Sequence, residues 1–158
     1  MAGSWATGGT LNTAVSAPGR GGTQTAAIKA GGSTPSMVDN AETYDGSTWT
    51  EVNDLTNARG EAASDGTQTA ALVVSGEDTA NTATVEEWDG TSWTETRDVA
   101  TARRRGVGTG GVSGFVFAGG YSTTLSADTE TYDGTSWTTA NDLNTARDGL
   151  AGAGVNGT

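Results

Sequence analysis

The most informative segment of the sequence is Glu42-Thr43-Tyr44-Asp45-Gly46-Ser47-Thr48-Trp49-Thr50. The same pattern returns at residues 86–94 and again at residues 130–138, each time 44 residues further along the chain. A fixed spacing of this length indicates a repeat architecture, in which each unit buries its apolar surface against its neighbours. The fold is therefore expected to be one supersecondary unit that is used several times.

The repeat divides the chain into units that begin at successive tryptophans. The units are residues 5–48, 49–92 and 93–136, followed by a half unit at 137–158. Four columns of the repeat keep a residue type: Trp5, Trp49, Trp93 and Trp137; Tyr44, Trp88 and Tyr132; Glu42, Glu86 and Glu130; and Arg59, Arg103 and Arg147. The first unit has Val15 in the arginine column. We expect a residue that returns in successive units to serve the structure of the unit.

The composition by itself is typical of a disordered chain. Leu, Ile, Val and Phe together number 20 of the 158 residues, and the formal net charge is −11. Chains with few large apolar residues and a high net charge rarely fold alone. The strict repeat nevertheless favours a folded protein, because a disordered linker has no reason to keep its aromatic residues in register. Residues 1–158 are predicted to form a single domain with a thin, repeated core, in which each Trp and Tyr buries roughly 150–250 Å².

The residue types that are missing exclude several functions. The chain contains neither His nor Cys, which leaves out disulfides, thiolate metal sites and the commonest general base. The acidic balance argues against a nucleic-acid partner, and no signal peptide is visible. The longest apolar run, about five residues, is far below the roughly 20 that a membrane helix needs. The sequence therefore predicts no metal, no cofactor and no membrane insertion. With all carboxylates in repeat columns or loops, it predicts no enzyme either.

Each unit contains four predicted short strands, named a to d. Strand a is a stretch of small residues (60–64 and 106–110), and strand b is the most apolar piece (69–74 and 113–118). Strand c ends on the second aromatic residue, and strand d carries the tryptophan. The Asp-Gly pair between strands c and d is typical of a hairpin turn. Short strands about 10 residues apart, with no helical periodicity, predict an all-β fold.

Four antiparallel strands in each repeat predict a blade of a β-propeller. The unit also resembles the kelch repeat. The resemblance rests on Ala58-Arg59 before strand a, Gly31-Gly32 closing strand b, Val85-Glu86 before the aromatic residue, and the tryptophan of strand d. It implies a kelch-like β-propeller of four-stranded blades. The chain departs from the kelch pattern in its short turn between strands c and d and in Ser75-Gly76, which replaces the glycine doublet.

A WD40 propeller is the alternative repeat of this length. Trp88-Asp89 matches the WD40 signature dipeptide, but the other copies read Tyr-Asp, and the chain contains no Gly-His pair. The kelch-like interpretation is therefore preferred.

The amino-acid sequence of the repeats resembles kelch-like tandem repeats in virion proteins of marine bacteriophages. The matching segments are Asn-Thr-Ala-Arg at 144–147, Gly-Thr-Gln-Thr-Ala-Ala at 22–27 and 66–71, and Thr-Glu-Thr-Tyr-Asp-Gly-Thr-Ser-Trp-Thr at 129–138. This resemblance implies a non-enzymatic structural or adhesion module located in a virion or another extracellular particle.

The two ends of the chain fall within blades. A predicted strand d (4–9) comes first and a predicted strand a (148–155) comes last, with three complete blades between them. Propellers typically have four to eight blades, so we expect copies of the chain to join head to tail as a homo-oligomer. The alternatives are a cramped ring with a defective fourth blade, and a chain that is part of a longer repeat protein.

Charged residues in the repeat columns have two interpretations. The glutamate and arginine columns either form pairs that tie strand c to the next strand a, or line a channel mouth that binds an anion or a sugar. We favour the structural pairs. Asp45, Asp89 and Asp133 precede glycine, and turn chemistry explains them without calcium.

Residues that break the repeat are the better candidates for contacts with a partner. Lys29 is the only lysine, Arg104 and Arg105 extend a basic run, and Tyr121 follows a glycine doublet on a predicted exposed loop. With the loops between strands b and c, these residues are predicted to contact a neighbouring subunit, another virion protein or a receptor. Drift at tolerant positions is the alternative explanation. A lectin-like propeller that binds a surface glycan is the alternative function.

Overall fold

The computed structural model describes residues 7–154, which contain twelve β-strands and no helix. Trp5 lies outside the described residues. The first sheet contains β1 (Gly19–Thr23), β2 (Ala26–Ser33), β3 (Met37–Tyr44) and β4 (Trp49–Val52). The second sheet contains β5 (Ala63–Thr67), β6 (Ala70–Val74), β7 (Val85–Trp88) and β8 (Trp93–Glu95). The third sheet contains β9 (Val107–Gly111), β10 (Gly114–Ala118), β11 (Thr129–Tyr132) and β12 (Trp137–Thr139).

Each sheet is an antiparallel meander in which strands a, b, c and d follow one another in chain order. The predicted all-β fold and its four-stranded, blade-like sheets are confirmed for the described residues. Membrane-spanning helices are absent from residues 7–154.

The predicted terminal strands are not formed in the part of the chain that the structure describes. Residues 7–9 and 148–154 have no strand assignment, whereas the remainder of those two predictions lies outside the described residues. The physical reason is the lack of a pairing partner. In the three complete sheets, each strand a hydrogen-bonds to its own strand b, and residues 148–154 have no such neighbour among residues 7–154.

The hairpin between strands c and d is closed by the aspartate of the repeat. Oδ1 of Asp45 accepts hydrogen bonds from the main-chain N–H groups of Ser47 (2.8 Å) and Thr48 (2.7 Å). Gly46 follows with a φ of 93°, in the left-handed region that favours glycine. The turns at Asp89 and Asp133 repeat this arrangement, so the prediction of an Asp-Gly hairpin turn is confirmed.

The two aromatic columns meet across this turn. Tyr44 pairs directly with Trp49 in the β3–β4 register, and the ring centroids lie 5.0 Å apart. The corresponding pairs are Trp88 with Trp93 at 5.2 Å and Tyr132 with Trp137 at 5.0 Å. Aromatic pairs directly opposite each other on antiparallel strands stabilise a sheet by roughly 0.2–1 kcal/mol. The pair therefore fixes the register of strands c and d in every copy.

The hydrophobic core lies between neighbouring sheets. One cluster joins the first sheet to the second; its buried members are Ile28, Ala30, Ala41, Leu55, Ala71, Val73, Trp88 and Trp93. The other joins the second sheet to the third; its buried members are Ala63, Leu72, Val74, Val85, Val99, Phe115, Phe117 and Tyr132. Both faces of the second sheet are therefore covered, since its alternate residues contribute to different clusters.

The third sheet has a face with much less covering. Ile28, Leu72 and Val116 occupy the same column of strand b, 44 residues apart. Ile28 is 2% exposed and Leu72 is 0% exposed, because the following sheet packs on each of them. Val116 is 39% exposed. The face of the third sheet that points away from the second is thus equivalent to a core face.

Truncating a strand b side chain is expected to cost more stability on a covered face than on this open face. Val73→Ala removes two buried methyl groups and should lower the free energy of unfolding by about 2 kcal/mol. Val116→Ala makes the same chemical change on the open face and should cost less than about 0.5 kcal/mol. Urea denaturation of both variants measures the difference, and equal losses would contradict the assignment of these faces.

Candidate functional site

The glutamate and arginine columns form buried ion pairs. Arg59 lies 2.7 Å from Glu86, and Arg103 lies 2.7 Å from Glu130. All four side chains are buried. Each glutamate also accepts a main-chain hydrogen bond through its other oxygen, from Thr56 at 2.7 Å and from Ala100 at 2.8 Å respectively. One carboxylate therefore fixes the segment that enters its own sheet at two points.

The connection made by these pairs differs from the predicted one. The prediction placed strand c against the next strand a, which would join Glu42 to Arg59. In the structure Arg59, which precedes β5, pairs with Glu86 in β7 of the same sheet. The carboxylate must face the segment that leads into its own sheet, because that segment crosses the face of strand c. The carboxylates of Glu86 and Glu130 are buried in these contacts and do not line the open cavity described below.

In the first sheet the positive charge comes from strand b instead of from the arginine column. Val15 occupies the arginine column, and the Nζ atom of Lys29 lies 3.5 Å from the carboxylate of Glu42 instead. Lys29 also donates to the carbonyl and the side-chain oxygen of Asn40, at 3.1 and 3.0 Å. Lys29 is 3% exposed. Lys29 thus takes the place of the missing arginine inside the sheet, and its predicted contact with a partner stays a prediction.

Burial sets the ionisation of this pair. Burial lowers the pKa of Lys29 below its ordinary value, and the nearby Glu42 carboxylate opposes that shift only in part. Burial would raise the pKa of Glu42, but the main-chain N–H groups of Asn12 and Thr13, with Lys29, lower it instead. Both main-chain groups lie in the segment before β1, so Glu42 holds its entering segment as Glu86 and Glu130 do.

Main-chain hydrogen bonds join the sheets at the repeat spacing. The N–H of Glu61 donates to Ala17 (3.1 Å), that of Arg105 to Glu61 (2.8 Å), and that of Gly149 to Arg105 (2.9 Å). All four residues have a φ between 47° and 63°. The sequence gives no signal for this ladder, because the bonds use main-chain atoms and the side chains at these positions differ.

A second ladder begins at the end of strand b. Gly32, Gly76 and Gly120 each donate a main-chain hydrogen bond to the carbonyl of the arginine-column residue 27 positions further on, at 2.8, 3.0 and 2.8 Å. Ser75 takes the place of the first glycine in the middle unit, with a φ of 60°. Its hydroxyl accepts from the N–H of Arg103 at 3.0 Å. The lost glycine is thus compensated by a side-chain hydrogen bond.

The remaining predicted contact residues lie together at the start of the third sheet. Arg104 pairs with Glu61 at 3.3 Å and with Glu77, and its guanidinium lies 5.3 Å from the centre of the Tyr121 ring. Arg105 lies 2.8 Å from Glu61 and is 47% exposed. Tyr121 is half-buried. The structure brings these residues together: Arg104 contacts Tyr121, and both arginines pair with Glu61.

An open cavity of about 690 Å³ lies where the four strand-a segments approach one another. Its walls come from residues 17–22, 61–65, 105–108 and 149–154, with Lys29 and Trp49 at one side. Most of these residues are glycine or alanine. Within residues 7–154, no group of three or more His, Cys, Asp or Glu side chains is placed to hold a metal ion.

No protein-family model matches this chain, and no curated protein sequence is similar to it.

Exchange of the two cations tests whether Lys29 replaces the column arginine. Lys29→Val leaves Glu42 buried without a positive charge and should lower the free energy of unfolding by about 3 kcal/mol. Adding Val15→Arg gives the first unit the residues of the second and should restore most of that loss. Denaturation midpoints of the single and double variants measure the effect. A double variant no more stable than Lys29→Val would contradict the replacement.

The turn aspartates should make the fold sensitive to acid. Main-chain N–H groups, first that of Thr48, lower the pKa of Asp45, and Ser92 and Ser136 do the same for Asp89 and Asp133. A lowered folded-state pKa gives stability that is present above about pH 4 and is lost as the pH falls through the folded values.

The matched variant replaces all three aspartates by asparagine, which keeps the acceptor oxygen but removes the titration. We expect the Tm of the wild type to fall more steeply between pH 5 and pH 2 than the Tm of the triple variant. Calorimetry across this range makes the comparison, and parallel curves would count against the proposed origin of the acid sensitivity.

Proposed function

We propose that this chain is a non-enzymatic structural or adhesion module of a phage or phage-derived particle. Its sheets act as blades of a kelch-like β-propeller that hold a shape and present the loops between strands b and c to a protein or a receptor. The module acts in the virion or in another extracellular particle, together with copies of itself or with other virion proteins.

One observation carries the proposal: the glutamates and aspartates of the repeat columns are engaged in holding the sheets together. Glu42, Glu86 and Glu130 each bind a buried cation and main-chain N–H groups. The aspartate column closes the turns. Carboxylates engaged in this way are poorly placed to exchange a proton with a substrate. A chain whose charges serve its own architecture is better suited to a structural role than to catalysis.

The loops between strands b and c supply the presenting surface. Asn81 in the loop of the second sheet donates hydrogen bonds to the carbonyls of Tyr121 and Ser122 in the loop of the third. Neighbouring loops are therefore joined into one surface. Residues that differ between the repeats, such as Leu125, which is 50% exposed, make the side chains on this surface different from loop to loop. Variable loops on a repeated scaffold are a common arrangement for recognition.

A lectin-like function is the second candidate, since half-buried Tyr121 and polar loops are present on this surface. One part of the Tyr121 ring faces Arg104, which restricts the aromatic face that would stack on a sugar. A glycan array separates the two candidates: the structural module should give no hits, whereas saturable binding that Tyr121→Ala abolishes would favour the lectin.

Mass spectrometry of purified marine phage particles tests the location. Trypsin cleaves after Lys29 and Arg59, and residues 30–59 contain no other cleavage site. We expect this fragment in gradient-purified virions at a stoichiometry comparable to other structural proteins. Its presence only in the soluble fraction of infected cells, in a phage that encodes the chain, would overturn the assignment to the particle.

A further inference from the structure

Arg147 is held in the same way as the two buried column arginines but has no carboxylate. Its N–H donates to Ser126 at 3.1 Å and its carbonyl accepts from Gly120 at 2.8 Å, as the main chain of Arg59 bonds to Val38 and Gly32. Its Nε donates to the carbonyl of Thr145 at 3.2 Å. The local conformation of the arginine is therefore already set.

Arg147 lacks the side-chain partners that the other two column arginines have. Arg59 and Arg103 each bind a glutamate of strand c and a carbonyl oxygen just after strand b, that of Ser75 or of Gly119. Arg147 is exposed, and among residues 7–154 it forms no ion pair. By the repeat, its carboxylate would come from a strand c that follows the third sheet.

The segment that follows Arg147 is also incomplete. It is placed against the third sheet, since a Cβ on Gly152 would meet Val107 and one on Gly154 would meet Thr109. After the Gly149 bond to Arg105, the main chain of residues 150–154 makes no hydrogen bond within the described range. In β1, β5 and β9, the same part of the repeat pairs with a strand b along its length. An unpaired strand edge of this kind is a template for another strand.

An exposed apolar side chain flanks this edge. Val116 lies on the open face of the third sheet, at the repeat position of Leu72, which is buried in one cluster with Phe115 and Phe117 of the following sheet. The cavity that residues 149–154 line reaches to Lys29 and Trp49 of the first sheet. Among residues 7–154 this site therefore lacks a strand b that pairs with residues 150–154 and a strand c that carries a carboxylate.

We propose that this edge binds, in trans, an apolar β-hairpin with a glutamate or aspartate that pairs with Arg147. The hairpin adds a strand to residues 150–154, covers Val116, and places its carboxylate against the guanidinium of Arg147. The proposal deepens the proposed function, on whose protein-binding role it rests, by giving the chemistry of one partner. Main-chain pairing supplies affinity in such β-augmentation, and the side-chain contacts supply specificity.

A complete sheet is a poorer occupant than a hairpin. The first sheet of a second copy, docked as sheets dock within this chain, would bring its residues 15–22 onto the positions of residues 147–154, which stand three repeats later. A hairpin of strands b and c avoids that overlap, because the chain already provides the equivalent of strand a.

A synthetic peptide of residues 69–92 tests the proposal, because it contains strands b and c of the second sheet with Glu86. Fluorescence anisotropy of the labelled peptide should show saturable binding to the full chain at a 1:1 ratio. The peptide with Glu86→Gln, and separately the chain with Arg147→Ala, should each bind about tenfold more weakly. Combining the two changes should add little, since both remove the same pair.

Arg97→Ala is the matched control, because Arg97 is an exposed arginine that accepts a hydrogen bond from Trp137 through its main-chain carbonyl; peptide binding to this variant should be unchanged. Circular dichroism verifies that the variants fold, and the Glu86→Gln change in the peptide leaves the chain untouched. No binding, or binding insensitive to Arg147 and Glu86, would overturn the hairpin site. The location of the chain in virions is measured independently, so the two proposals fail separately.

Discussion

The buried carboxylate of strand c holds each sheet to the segment that leads into it. Glu86 makes its ion pair with Arg59 and its main-chain bond to Thr56 at the same time, so it fixes both the direction and the distance of the segment entering the sheet. A buried pair gains little net stability, because desolvation offsets the attraction, but removing one partner is costly. The pair therefore specifies geometry, and the thin apolar clusters between sheets supply the stabilisation.

This division of roles suits a chain with few large apolar residues. Two clusters, one on each side of the second sheet, hold the described core, and each depends on contacts between neighbouring sheets only. Stability in such repeats is approximately a sum of unit and interface contributions. The two ladders of main-chain hydrogen bonds add contacts that do not depend on side-chain size, which explains why Gly, Ala, Ser and Thr suffice around them.

The sequence was sufficient for the strands, the turns and the paired aromatic columns, because these depend on local patterns that return every 44 residues. It predicted charge pairs in the glutamate and arginine columns but not which copies meet, since that depends on how the connecting segment crosses strand c. The role of Lys29 within the sheet was not predicted, because a single lysine in strand b looks like an exception to the repeat. Only its distance to Glu42, together with Val15, reveals the replacement. The ladder from Ala17 to Gly149 uses main-chain atoms and leaves no residue pattern to detect.

Departures from the repeat thus fall into two physical classes. Val15 and Ser75 change a column residue, and in each case another group within the chain, Lys29 or the serine hydroxyl itself, restores the lost interaction. Arg147 keeps the column residue, and its counterpart is missing from the described structure. A compensated departure reports on the requirements of the fold, since the charge or hydrogen bond is preserved while the residue changes. An uncompensated group on an exposed edge is where a contact with another molecule is physically favoured, because binding there repeats an interaction that the fold already makes twice.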